Sequence, residues 1–133
     1  MPVGLVVASS MSTIDVATEI INSQVRDIFE NAWTNLVVCT SLPEYRILIW
    51  GSTIQEHIAN PDDLDIIIEY KTSESLTTQK EKSIEGIVKS NTYVEQFDLI
   101  DPLVTHYEKT ESIIANSRVS KAYDISEQSY DTF

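Results

Sequence analysis

From Ile14 onward the apolar side chains return every third or fourth position, through Ala17, Ile20, Ile21, Val25, Ile28, Phe29, Ala32, Trp33, Leu36 and Val37. That period gathers them on one face of a long amphipathic helix. Ser12, with Asp15 three residues on, is a capping-box variant that starts it, and Ser41-Leu42-Pro43 ends it, so the helix is expected near residues 13 to 40. The pattern then changes. Tyr45-Arg46-Ile47-Leu48-Ile49-Trp50 is too short for a helix, rich in β-formers and stopped by Gly51. This predicts a buried strand followed by a Gly51-Ser52 turn.

Residues 53 to 62 carry weak periodicity and finish in the turn signal Asn60-Pro61-Asp62. Asp63-Leu64-Asp65-Ile66-Ile67-Ile68-Glu69-Tyr70 opens polar and turns apolar, which predicts a second strand whose leading end is acidic. Thr72 to Ser90 has helical spacing with a thin stripe of Leu76, Ile84, Ile87 and Val88, and with Lys80 and Lys82 on its polar side. Thr92 to Ile100 alternates well enough for a third strand that includes Asp98, and Asp101-Pro102 caps a short helix through Leu103, Val104, Tyr107 and Ile113-Ile114. The polar residues from Asp124 to Phe133 read as a loose tail.

The order helix, strand, strand, helix, strand, helix implies an α/β (α+β) fold with a small mixed β-sheet of three to five strands packed with helices. The expected organisation is an N-terminal extension over residues 1–12, one domain over 13–123 and a flexible tail over 124–133. A length of 133 residues supports one real core.

Charge narrows the partners. With 21 acidic against nine basic residues the formal net charge is −12, which works against binding a long nucleic acid, whose affinity comes from Lys and Arg on phosphates. The same excess suits divalent cations or a basic protein surface, and also suits a merely soluble acidic domain. The lone Cys39 lies in an apolar run and fits a buried thiol in a reducing cytoplasm. The first ten residues have no Lys or Arg ahead of their apolar stretch, and no run approaches ~20 apolar residues, so neither a signal peptide nor a membrane span is expected.

Candidate chemistry centres on Asp63 and Asp65. Strand alternation puts both carboxylates on one face, ~6.5 to 7 Å apart along the strand. Mg²⁺ is the natural occupant of such a pair, because it takes oxygen ligands from one or two carboxylates and leaves other positions to water and phosphates. Asp98 reaches the same cluster if the third strand neighbours the second, and three carboxylates can hold two metals. The Gly51-Ser52 turn would offer N–H groups and a hydroxyl to phosphate. Other readings stand beside this one. After Asn60-Pro61 the acidic pair could be turn residues, and Asp98 with Asp101 ordinary polar edging. A haloacid-dehalogenase-type phosphatase also uses Asp-x-Asp, but there the pair follows its strand. An EF-hand counted from Asp63 would need Gly where Ile68 stands. His57 and His106 lack a second His or a Cys at metal spacing, and Trp33 and Trp50 read as core.

Ile49-Trp50-Gly51-Ser52, ten intervening residues, then Asp63-Leu64-Asp65-Ile66 resembles the hydrophobic-Gly-Ser, spacer, Asp-x-Asp signature of the DNA polymerase β-like nucleotidyltransferase superfamily. Phe97-Asp98-Leu99 resembles the third carboxylate segment of its minimal members, and Ile113 to Val119 leading to Ala122-Tyr123 is similar to their closing helix and short strand. The resemblance implies transfer of a nucleoside monophosphate from ATP or another nucleoside triphosphate to a hydroxyl, with pyrophosphate released. Asp63, Asp65 and Asp98 would bind Mg²⁺ or Mn²⁺, Asp98 would also help deprotonate the attacking hydroxyl, and Gly51 and Ser52 would hold the triphosphate. Some minimal members pair with a helical partner as toxin and antitoxin, and others resemble antibiotic adenylyltransferases. Where many members carry Arg or Lys between the Gly-Ser and Asp-x-Asp elements, this chain has Glu56 and Asp62, with His57 the one basic candidate. A domain of this size leaves the acceptor to a partner protein or a second copy. The competing expectation is a catalytically silent acidic module with the same fold.

Overall fold

The computed structural model describes residues 12–37, 41–55 and 62–133. Cys39, His57, the Asn60-Pro61 turn and residues 1–11 of the expected extension lie outside them.

The first helix, α1, is built from Thr13–Ile20, a π-helical turn Ile21–Val25 and Arg26–Leu36. Ser12 caps it, its Oγ accepting the Asp15 N–H at 3.1 Å, and the helix ends at Val37, which has extended backbone. The strands are β1 (Glu44–Trp50), β2 (Asp63–Lys71), β3 (Leu99–His106), β4 (Lys121–Asp124) and β5 (Ser129–Thr132). Helix α2 (Thr78–Asn91) joins β2 to β3, and α3 (Tyr107–Ala115) follows β3. The sheet is mixed, in the order β3-β2-β1-β4-β5, with β2 and β3 parallel and the other neighbours antiparallel. The expected α+β class is thus what forms. No helix among the described residues is long and apolar enough to cross a membrane.

The two faces of the sheet differ. Ile47, Ile49, Leu64, Ile66, Ile68, Tyr70, Ile100 and Val104 face α1 and α2, meeting Ala17, Ile21, Val25, Phe29, Trp33, Ile84 and Val88 in the main core. Phe29 sits 4.8 Å from Tyr45 and Trp33 5.2 Å from Tyr70, centroid to centroid, so an aromatic file pins α1 across the sheet. The opposite face carries a thin cluster of Leu48, Ile67, Ile114 and Ala122, roofed by α3. Helices therefore cover one face of the sheet fully and the other only in part.

Three sequence expectations are corrected. The third strand starts at Leu99, not Thr92, and residues 101 to 106 are strand rather than helix. Asp-Pro reads equally as a helix start or as an edge-strand pair. Here Val104 N–H points outward to Glu85 Oε2 at 2.9 Å, so Pro102, two residues away, lacks its N–H on the outer side, where no ladder bond is lost. The residues from Asp124 are not a loose tail, because Asp124 is 2% exposed and Ser129–Thr132 pairs with β4. Trp33 is core, whereas Trp50 is only half-buried.

Candidate active site

The sheet alternation that sends Leu64 and Ile66 into the main core sends Asp63 and Asp65 to the thinly covered face. Antiparallel pairing sets Trp50, the last residue of β1, opposite Asp65. Parallel pairing sets Leu99 opposite Asp63 and Asp101 opposite Asp65. Neighbouring strands run ~4.8 Å apart, so Asp65 stands between Trp50 and a second carboxylate. All three strand ends lie at the same end of the sheet, because β1 arrives there as β2 and β3 leave.

In this register the acid set opposite Asp65 is Asp101 and not the expected Asp98. Asp98 is exposed and stands one residue ahead of β3, its N–H donating to Asp62 O at 2.6 Å. The register, rather than the motif spacing, decides which acid flanks Asp65, and it selects Asp101. The signal was present in the sequence: Leu99, Asp101 and Leu103 share one alternation, and Leu103 packs with Leu48 and Ile67 on the same face. Pro102 hid it by reading as a helix start.

Burial, then the Asp101 carboxylate, then Asp63 push the Asp65 acid up to about 6 from 3.8. A charge that is partly desolvated and faces two like neighbours favours its neutral form unless a cation arrives.

Gly51 shapes the other wall. It opens a 3-10 turn, Gly51–Ile54, with φ +71°, and a Cβ there would run into Asp65, 3.1 Å from Cγ and nearer still to Oδ2. The turn backbone thus lies directly against the carboxylate. Thr53 Oγ1 donates to Asp63 O at 3.4 Å, tying the turn to β2. Ser52 O accepts the Gln55 N–H at 3.2 Å, while the Ser52 hydroxyl has no hydrogen bond among the described residues. Trp50, Gly51, Gln55 and Asp65 line a cleft of about 280 Å³ together with Ser117, Arg118 and Val119 from the turn between α3 and β4. Arg118 is the basic residue of this cleft, and the sequence reading gives it no role in the site.

Among the described residues no three His, Cys, Asp or Glu side chains converge into a ready-made metal cage. The donors that are present fit Mg²⁺ or Mn²⁺ in kind: they are carboxylate oxygens whose repulsion a cation would relieve, beside a glycine turn that a side chain would obstruct. His106 is no ligand candidate, being 3% exposed with Nε2 2.7 Å from Thr72 O. No protein-family model, no curated protein and no solved structure matches the chain.

Proposed function

We propose that the chain is a Mg²⁺- or Mn²⁺-dependent nucleotidyltransferase that moves AMP from ATP, or the corresponding monophosphate from another nucleoside triphosphate, to a hydroxyl on a protein or small-molecule acceptor and releases pyrophosphate. The observation that carries the reading is the Asp65 carboxylate, which lines a cleft, packs against the Gly51 turn and is flanked by Asp101 and Asp63. Asp63 and Asp65 would hold the metal, with Asp101 beside them. The ion, when bound, supplies neutralisation of the charge that develops on the transferring phosphoryl oxygens. Asp101 takes the part that the resemblance gives to the third carboxylate, accepting the proton of the attacking hydroxyl. The Gly51 turn brings backbone to the phosphates without a side chain in the way. A protein partner or a second copy presents the acceptor, and with a net charge of −12 a basic or helical partner is the complementary choice over a long nucleic acid.

One second reading has its own support. The charge of −12 and the acidic segment between Ser52 and Asp63, with Glu56 and Asp62 in place of Arg or Lys, favour a catalytically silent module that docks on a partner. Titration calorimetry with ATP and Mg²⁺ separates the two. The enzyme reading expects ATP binding that disappears in EDTA, and absence of metal-dependent binding leaves the silent module.

A further inference from the structure

We infer that Arg118, from the turn between α3 and β4, is the phosphate-binding cation of this cleft, clamping the β- and γ-phosphates in place of the basic residues that the segment between Ser52 and Asp63 lacks. The inference rests on the nucleoside triphosphate reading and deepens it. The other arginines among the described residues are engaged. Arg46 is bound by Glu69, Asp124 and Asp131, and Arg26 donates to Asn22 Oδ1 and Ser126 Oγ while lying over Tyr45. Lys71 and Lys121 lie over Tyr107 and Tyr130.

Arg118 differs. It is exposed, lines the same cleft as Gly51 and Asp65, and makes no ion pair, hydrogen bond or ring contact among the described residues. Its backbone is nonetheless held firmly, since Ser117 Oγ is 2.6 Å from both Ile114 O and Val119 O, and Lys121 N–H reaches Val119 O at 2.7 Å. A fixed turn that presents an uncommitted guanidinium, in a chain with twelve more acids than bases, suits a ligand rich in anionic oxygens. The planar fork meets two phosphate oxygens at once, which an ammonium does not.

The test is calorimetry on the full chain with ATP, AMP and inorganic tripolyphosphate, each with Mg²⁺. Wild type is compared with Arg118→Ala, Arg118→Lys and Lys89→Ala, the last a surface cation on α2, which packs on the sheet face opposite the acidic pair. Arg118→Ala should weaken ATP and tripolyphosphate about ten- to hundredfold and leave AMP within about twofold. Arg118→Lys should recover part of the loss, and Lys89→Ala should change little. Unfolding temperatures should stay together, because Arg118 has no partner to lose among the described residues. ATP and tripolyphosphate binding unchanged in Arg118→Ala, or weakened equally by Lys89→Ala, overturns the assignment while the nucleotide reading stands. Tripolyphosphate binding that needs Arg118, with no binding of ATP, keeps the phosphate site and removes the nucleotide. Wild type that binds none of the three removes both.

Discussion

With an acid constant near 6 in the folded chain against 3.8 for a free side chain, Asp65 makes a contribution to stability that is fully present below about pH 4 and lost as pH rises through about 6. The apo protein should therefore weaken across that window, and Asp65→Asn should flatten the dependence. At neutral pH the variant should gain about 1 to 2 kcal/mol, a figure already reduced for solvent screening of a half-buried group. Thermal unfolding at several pH values without divalent ions checks this, and an Asp65→Asn protein less stable than wild type at pH 7 refutes it. Asp101→Asn should lower the midpoint of the Asp65 titration, as followed by carboxyl carbon resonances, whereas Asp98→Asn should leave it in place. At Gly51 the positive φ and the adjacent Asp65 act together. Gly51→Ala should cost about 1 to 3 kcal/mol, and the double variant with Asp65→Ala should recover part of that loss in a mutant cycle.

The β4–β5 hairpin shows what an element owes to distant residues. Arg46, on β1, donates to Glu69 at 2.8 Å, Asp124 at 3.2 Å and Asp131 at 2.6 Å. One guanidinium thus joins four strand positions across the sheet. Asp124 is buried, and its other oxygen accepts the Ser126 and Glu127 N–H groups that shape the turn. Arg46→Met should cost about 3 kcal/mol, because it strands a buried carboxylate, while Asp131→Asn at a partly exposed site should cost under about 1 kcal/mol. Deleting residues 125–133 removes Ile125 from the main core and Phe133 from the smaller cluster. The loss should be about 3 kcal/mol or more by urea titration, and an unchanged midpoint would restore the idea of a dispensable tail. Nothing local in Ser-Tyr-Asp-Thr announces a strand, since the pairing depends on an arginine more than eighty residues earlier. The first helix, β1 and β2 were legible because their apolar periods are strong, and Ser12 capped α1 where its spacing with Asp15 indicated. The acidic pair was legible for the same reason. The placing of Asp101, rather than Asp98, against Asp65 was not, because a one-residue choice of strand register decides it and Pro102 imitates a helix start.

At the scale of the whole molecule, the charge of −12 is a diffuse repulsion that salt should relieve. Raising NaCl from about 0.05 to 0.5 M should lift the unfolding temperature by a few degrees. Millimolar Mg²⁺ at matched ionic strength should lift it further in wild type but not in Asp65→Asn, and an equal effect in both would place the ion elsewhere. The sheet ends in two unlike borders. At β3 the two central outward positions offer no free N–H, because Pro102 has none and that of Val104 is taken by Glu85 from α2. At β5 no further strand follows among the described residues. A strand added from outside therefore finds its better edge, among the described residues, at β5, and two copies that joined there would each present the obstructed β3 border. Among the described residues this makes sheet growth self-limiting: copies that joined through β5 would stop at a pair, since each would then present its β3 border.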